Sequence, residues 1–326
     1  MINITTRRDV VAACLCLASL LPAGPAFAQQ PRSAQIVVAF TPGGPVDFVA
    51  RLVAEPLGRE LGHPVVVENR AGANGNIGAE YVAKAAPDGS VMFLSSVGAI
   101  AISPALYSPL PYDPVRDFAP VSVVVNNSTV FVVNASNPAN SASEFVADTI
   151  KAAQPTPFGS SGSGSTPHLT LELLQAASGA KLLHIPYKGA APVIADVLAG
   201  RVAGFLGDLP GFIGQIKGGK LKAIAVAAPR RHSLLPEVRT FAEQGIAGVE
   251  SNNWYAILLP AKTPRATVDA VNRGIRAALA NETVRTRLRD SGAEPAASSP
   301  EELAALIKAD TAKWSRIIRE KNIKAD

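Results

Sequence analysis

Apolar positions along this chain follow two alternating rhythms. Residues 35–40 form a short, β-branched run and are expected as a strand. Residues 46–61 place Val49, Leu52, Val53, Leu57 and Leu61 at helical spacing, with Pro56 expected to kink or loosen that helix. Residues 64–68 read as a continuous apolar strand of the kind buried in parallel sheets. A Gly/Asn-rich loop over 69–76, a helix over 77–86 and a third strand over 91–95 complete a strand–helix–strand–helix–strand unit. That alternation implies right-handed crossovers and a parallel sheet.

After an irregular, proline-rich stretch over 104–120 the pattern resumes. Strands are expected over 121–125 and 129–134, then a helix over 143–153 with Ser143 as its cap. A strand over 156–159 runs into a Ser/Gly loop, 160–165. Helices over 167–179, 191–199 and 211–217 then alternate with strands over 182–185, 202–207 and 223–227. The last third changes character: one strand over 254–259 precedes amphipathic helices over 267–279, 282–290 and 300–320, with Thr263 as a candidate N-cap. Two α/β stretches and a helical tail predict two lobes with a cleft between them. In open α/β sheets, ligands sit beyond the carboxyl ends of strands. The candidate site is therefore the set of loops 41–47, 69–76, 95–98, 159–168 and 186–189, together with Asp208.

Two of these loops carry recognisable chemistry. Thr41-Pro42-Gly43-Gly44 joins a strand to a helix; its glycines let the backbone approach a ligand, and the helix start adds unsatisfied N–H groups that favour an anion. Asp47, in the first helical turn, serves either to cap those N–H groups or to touch the ligand. The loop from Gly159 through Ser160, Ser161, Gly162 and Ser165 to Thr166 also precedes a helix, and adds hydroxyls. His168, in the turn after it, reads as scaffolding.

Composition narrows the function classes. Arg7 and Arg8, an apolar run from Val10 to Leu21 and Ala26-Phe27-Ala28 read as a secretory signal peptide over 1–28, cleaved after Ala28. The twin arginines fit either the twin-arginine or the general export route. Both cysteines, Cys14 and Cys16, lie in that leader, so the remainder holds no disulfide, thiolate nucleophile or cysteine-ligated metal. The net charge of +5 is spread without basic runs, which points away from nucleic acid. The four histidines never fall at metal-ligand spacing. No G-x-S-x-G is present. The near-match to a phosphate loop at Gly214-Gln-Ile-Lys-Gly218-Gly219-Lys220 has Leu221 where Ser or Thr is required, and lies before a strand rather than after one. An enzyme using the same cleft is the rival these absences weigh against.

The stretches FTPGGPVDFVAR, VVVENRAGANGNIGAEYVAKAAPDG, LYSPLPYDPVRDFAPVS, FGSSGSGSTPHL, HIPYKGAAPVIADVLAGRV, IKGGKLKAIAV and GAEP together resemble the extracytoplasmic solute-binding receptors of the Bug group, which serve tripartite tricarboxylate transporters. The resemblance implies an α/β, two-lobed periplasmic-binding-protein fold of the Venus flytrap, type II-like kind. Lobe 1 would hold residues 29–127 and 250–326, and lobe 2 residues 128–249. It further implies a monomeric, non-enzymatic periplasmic receptor without cofactor or metal, which captures a small carboxylate or related polar solute for membrane permease subunits. A receptor that signals to a sensor kinase is the alternative. By resemblance the ligand contacts are Thr41, Gly43, Gly44, Asp47, Ser160, Ser161, Gly162, Thr166 and Asp208. The chain departs from the family pattern at Gly207-Asp208-Leu209 and at Asn252-Asn253, which bears on which ligand it takes.

Overall fold

A computed structural model describes residues 33–324; the signal-peptide reading of residues 1–28 lies outside them. Strand β1 (Ala34–Val38) is flanked in parallel by β2 (Val65–Asn69) and β3 (Val91–Ser96). Helices α1 (Pro45–Leu61) and α2 (Asn76–Ala83) make the crossovers. Pro56 is buried inside α1, which runs unbroken past it and ends on Gly62 in the left-handed conformation. The short helix α3 (Ser103–Leu106) precedes the proline-rich segment.

The two strands expected over 121–134 are a single 17-residue strand, β4 (Phe118–Asn134). The polar Asn126-Asn127-Ser128 step does not interrupt it, because its backbone stays paired to a strand from the far end of the chain, β9 (Asn252–Pro260). Asn127 Nδ2 also donates to the Asn253 carbonyl (3.1 Å). Beyond Ser128, β4 pairs instead with β7 (Phe205–Asp208) and β8 (Leu221–Val226). It therefore belongs to a first sheet in the order β2-β1-β3-β9-β4 and to a second that continues through β7 to β5 (Thr156–Ser160) and β6 (Leu182–Pro186). A short strand, β10 (Ala293–Pro295), adds to the first.

Helices α4 (Ala142–Lys151), α5 (Thr166–Ser178), α6 (Ala190–Leu198) and α7 (Ile213–Lys217) belong to the second sheet's connections; α8 (Arg265–Ala280), α9 (Glu282–Ser291) and α10 (Pro300–Glu320) follow the return to the first. Two expected caps are displaced. Helix α4 begins one residue earlier than predicted. Ser141, not Ser143, accepts from Glu144 N (3.1 Å), while the Glu144 carboxylate accepts from Asn140 N, a Ser-x-x-Glu arrangement. Helix α8 starts at Arg265 behind Pro264; Thr263 precedes a proline, which disfavours helical geometry there, and does not cap it.

Among the described residues three apolar cores follow from this layout: one around the first sheet and one on each face of the second. On one face of the second sheet, Phe131 packs edge-on against Phe145 (4.9 Å between centroids) and Phe158 (5.3 Å), and stacks with Phe241. Phe131→Ala removes the ring common to all three contacts and is expected to cost about 3–5 kcal/mol of unfolding free energy. A urea midpoint unchanged from the parent would contradict that packing.

Candidate functional site

Beyond the carboxyl ends of β1, β5, β6 and β7 three helices begin, and their first residues line one cavity. Pro45 and Val46 open α1, Thr166 and Pro167 open α5, and Ala190 opens α6. A helix start carries N–H groups without intrahelical partners and the positive end of the helix dipole. Gly44 and Gly189, the N-caps of α1 and α6, have no side chain to close over those groups. Helix α5 is capped: Ser165 Oγ accepts from His168 N (3.3 Å). None of the residues lining the cavity is lysine, arginine or histidine. The positive potential there is a backbone property.

The two sheet halves approach closely around this cavity. Gly189 has φ +136°, and a Cβ at that position would lie 2.7 Å from Thr41 Oγ1, so only glycine fits both the backbone and the contact. Asn74, itself in a left-handed conformation, donates from Nδ2 to the Gly164 carbonyl (2.8 Å), and Tyr107 Oη donates to the Ser163 carbonyl (2.6 Å). Space open to a water-sized molecule within the cavity is about 30 Å³. A cavity that accepts benzene is several times larger, roughly 150 Å³. The walls stand close together in this structure.

The predicted site residues divide into two groups. Gly44, Ser161, Thr166 and Asp208 line the cavity. Thr41, Gly43, Asp47, Ser160 and Gly162 are not among its lining residues. Asp47 holds the first loop from beneath: its Oδ2 accepts from Gly43 N (3.0 Å) and Arg51 Nε (2.9 Å), and its Oδ1 from Asn69 Nδ2 (2.9 Å). Although burial opposes ionisation, these bonds hold its carboxyl below the usual range. Ser160 is fully buried, with Oγ 2.6 Å from His184 Nε2 and accepting from Gly162 N (3.1 Å); His184 stacks on His168 at 4.0 Å. This pair of rings supports the Ser/Gly loop from behind.

Ser96 and Ser165, inside the expected loops 95–98 and 159–168, also line the cavity, as do Phe40, Phe205, Asn253 and Tyr255, which no sequence signal had assigned to a ligand. Asn253 and Tyr255 lie nearly fifty residues beyond Asp208, on a strand of the other sheet, yet both bind its carboxylate. Asn253 Nδ2 donates to Asp208 Oδ2 (2.7 Å), and Tyr255 Oη donates to the same oxygen. The departure at Asn252-Asn253 was the one sequence signal pointing there. Asp208 Oδ1 and Thr166 Oγ1 are buried and have no partner in the protein. Burial pushes the Asp208 carboxyl up to about 6 against the two hydrogen bonds, which act the other way. Among the described residues no group of three or more His, Cys, Asp or Glu side chains is placed to hold a metal ion.

The Asp208 shift has a consequence for folding. Its folded-state value lies above the ordinary 3.8, so the folded protein binds this proton more tightly than the unfolded chain does. The resulting stabilisation is complete below about pH 4 and is lost as pH rises through about 6, a change on the order of 3 kcal/mol. The stability difference between the parent and Asp208→Asn, followed by urea unfolding across pH 4–7, is expected to decline by that amount. A constant difference would show that Asp208 ionises normally.

Comparison with known proteins places this arrangement. The profile of the family described as "Tripartite tricarboxylate transporter family receptor" (TctC) matches residues 49–323. The structure of the periplasmic binding protein BugD is 34% identical, with a TM-score of 0.87 over 90% of this chain and 99% of that one. An R. palustris protein solved with adipate is 32% identical (TM-score 0.87; 90% and 99% covered). MatC from Rhodopseudomonas palustris, with bound malate, is 29% identical (TM-score 0.84; 88% and 99% covered). The architecture is accordingly a mixed α/β periplasmic-binding-protein fold.

Proposed function

The chain belongs to the tripartite tricarboxylate transporter receptor family, a family of solute-binding receptors rather than enzymes, and from that premise we propose that it captures a small carboxylate in the periplasm and delivers it to membrane permease subunits. The observation that carries this reading is the convergence of three helix N-termini on one cavity whose lining includes no cationic side chain. Backbone N–H groups suit a carboxylate and discriminate little between carboxylates. Selectivity then rests on cavity shape and on a few polar atoms, with Thr166 Oγ1 offering a free hydroxyl. The adipate and malate held by relatives agree with this chemistry. Periplasmic placement is supported by the leader expected over residues 1–28 and by the likeness to a periplasmic binding protein.

In this reading Gly44, Ser161, Thr166 and Asp208 face the ligand. Thr41, Gly43, Asp47, Ser160 and Gly162 shape the two loops that present it. The division into a lobe of residues 29–127 with 250–326 and a lobe of 128–249 belongs to the same proposal. β4, and the chain entering β9, would flex where they pass between the sheets, and ligand contacts to both lobes would favour the closed form. The Asn74–Gly164 and Tyr107–Ser163 hydrogen bonds would form only on closure.

Thermal unfolding in the presence of adipate, malate and other mono- and dicarboxylates tests the proposal. A true ligand at 100 times its Kd is expected to add about 2.7 kcal/mol of stability. Thr166→Val, which keeps the shape and removes the hydroxyl, is expected to weaken binding by about fivefold, the loss of a hydrogen bond worth about 1 kcal/mol. If no carboxylate stabilises the protein, the function proposed here is wrong.

A further inference from the structure

The cavity holds one feature that carboxylate capture by itself does not call for: a buried carboxylate with one oxygen saturated and the other free. Asp208 Oδ2 accepts from both Asn253 and Tyr255, whereas Oδ1 has no partner and Asp208 is only 8% exposed. A carboxylate ligand drawn in by the helix starts meets this second carboxylate in the same narrow cavity. Two ionised carboxylates offer only acceptors to one another and repel.

Groups facing Asp208 supply no compensating charge. From β9 come Asn253 and Tyr255, and the Tyr255 hydroxyl is held neutral, its ionisation pushed well upward by burial and by Asp208 itself. From β4 comes Thr129, in register with Asp208; from β3 Ser96; from the start of α5 Ser165 and Thr166. The titratable groups further along α5 are His168 and Glu172, which lie 3.7 Å apart, with His168 Nδ1 accepting from Gly164 N. What sets the ionisation of Asp208 is burial against the two hydrogen bonds from Tyr255 and Asn253.

We propose that the cavity binds its carboxylate together with one proton, held between the ligand's carboxylate and Oδ1 of Asp208. This inference rests on the carboxylate reading above and deepens it. The proton leaves hydronium or a buffer acid, whose conjugate base stays in solution, and bonds to Oδ1, which then donates to the ligand; no carbon–oxygen bond changes. Capture at neutral pH therefore takes up a proton, and release returns it. Below the point at which the free protein is already protonated, near pH 6, the dependence disappears. Above it, affinity falls by up to about tenfold per pH unit until the complex too has lost its proton.

Adipate is the decisive probe, because its only polar groups are carboxylates and it brings no hydroxyl or amine to satisfy Oδ1. Titration calorimetry at pH 7.5 in two buffers of different ionisation enthalpy counts the protons exchanged. The expected result is uptake of a substantial fraction of one proton per adipate, with affinity declining from pH 6.5 to 8. In Asp208→Asn, where the position cannot titrate, uptake is expected to vanish and the pH dependence to flatten. Tyr255→Phe gives an independent reading that does not require Asp208→Asn to bind. Loss of that donor raises the Asp208 pKa further, so the decline in affinity shifts to higher pH. Adipate binding with no proton uptake, or equal uptake by parent and Asp208→Asn, would overturn the inference while leaving the receptor reading intact. Failure of adipate, malate and every other carboxylate to bind the parent would remove both.

Discussion

A single strand that serves two sheets is the constraint on which the rest of the structure depends. Over Phe118–Ser128, β4 is tied to β9; over Thr129–Asn134 it is tied to β7 and β8. Asp208 therefore stands at the seam, in register with Thr129, within reach of Asn253 and Tyr255 on the strand that serves the first sheet alone. The carboxyl ends of β1 and β5 face the same space, and the helices following them start there. Had β4 broken at its polar step, the two halves would share no common register. The helix starts would then have no reason to converge.

The electrostatics of the cavity follow from that convergence. Two of the three helix starts, behind Gly44 and Gly189, carry no side-chain cap, which leaves their positive ends open to a ligand, although Asp47 in the first turn of α1 offsets part of that one. The supporting polar groups are committed elsewhere: Asp47 to the first loop, Ser160 and the stacked histidines to the second. What remains exposed to a ligand is a set of donors with one buried carboxylate among them. An acceptor in an anion site is costly unless it binds a proton or meets a donor, which is why Asp208 rather than any glycine loop distinguishes this cavity chemically.

Much of the fold was legible in the sequence because its signals are local. Alternation of β-branched runs with helical periodicity marked the α/β units, and the Pro-Gly-Gly and Ser/Gly loops stood out as strand-to-helix turns. The family resemblance then joined those loops into one site. Tertiary pairing decided what the sequence concealed. The Asn126-Asn127-Ser128 step has the polarity of a turn and became strand only because a segment some 125 residues away pairs with it. Ser160 and Asp47 carry the same functional groups as Ser161 and Asp208, yet their side chains bind scaffold; no local pattern separates the two cases. Asn253 and Tyr255 were hidden for a related reason: a partner's role depends on what lies opposite it, and Asp208 belongs to another sheet.

The central claim is that a carboxylate is seated on backbone at converging helix starts, with no side-chain cation. A crystal structure of the protein with adipate tests it most directly. A ligand carboxylate is expected within hydrogen-bond reach, directly or through one water, of first-turn N–H groups of α1 beyond Pro45 and of α6, with Thr166 and Asp208 among its neighbours. A carboxylate paired instead with a lysine or arginine, or held outside this cavity, would contradict it.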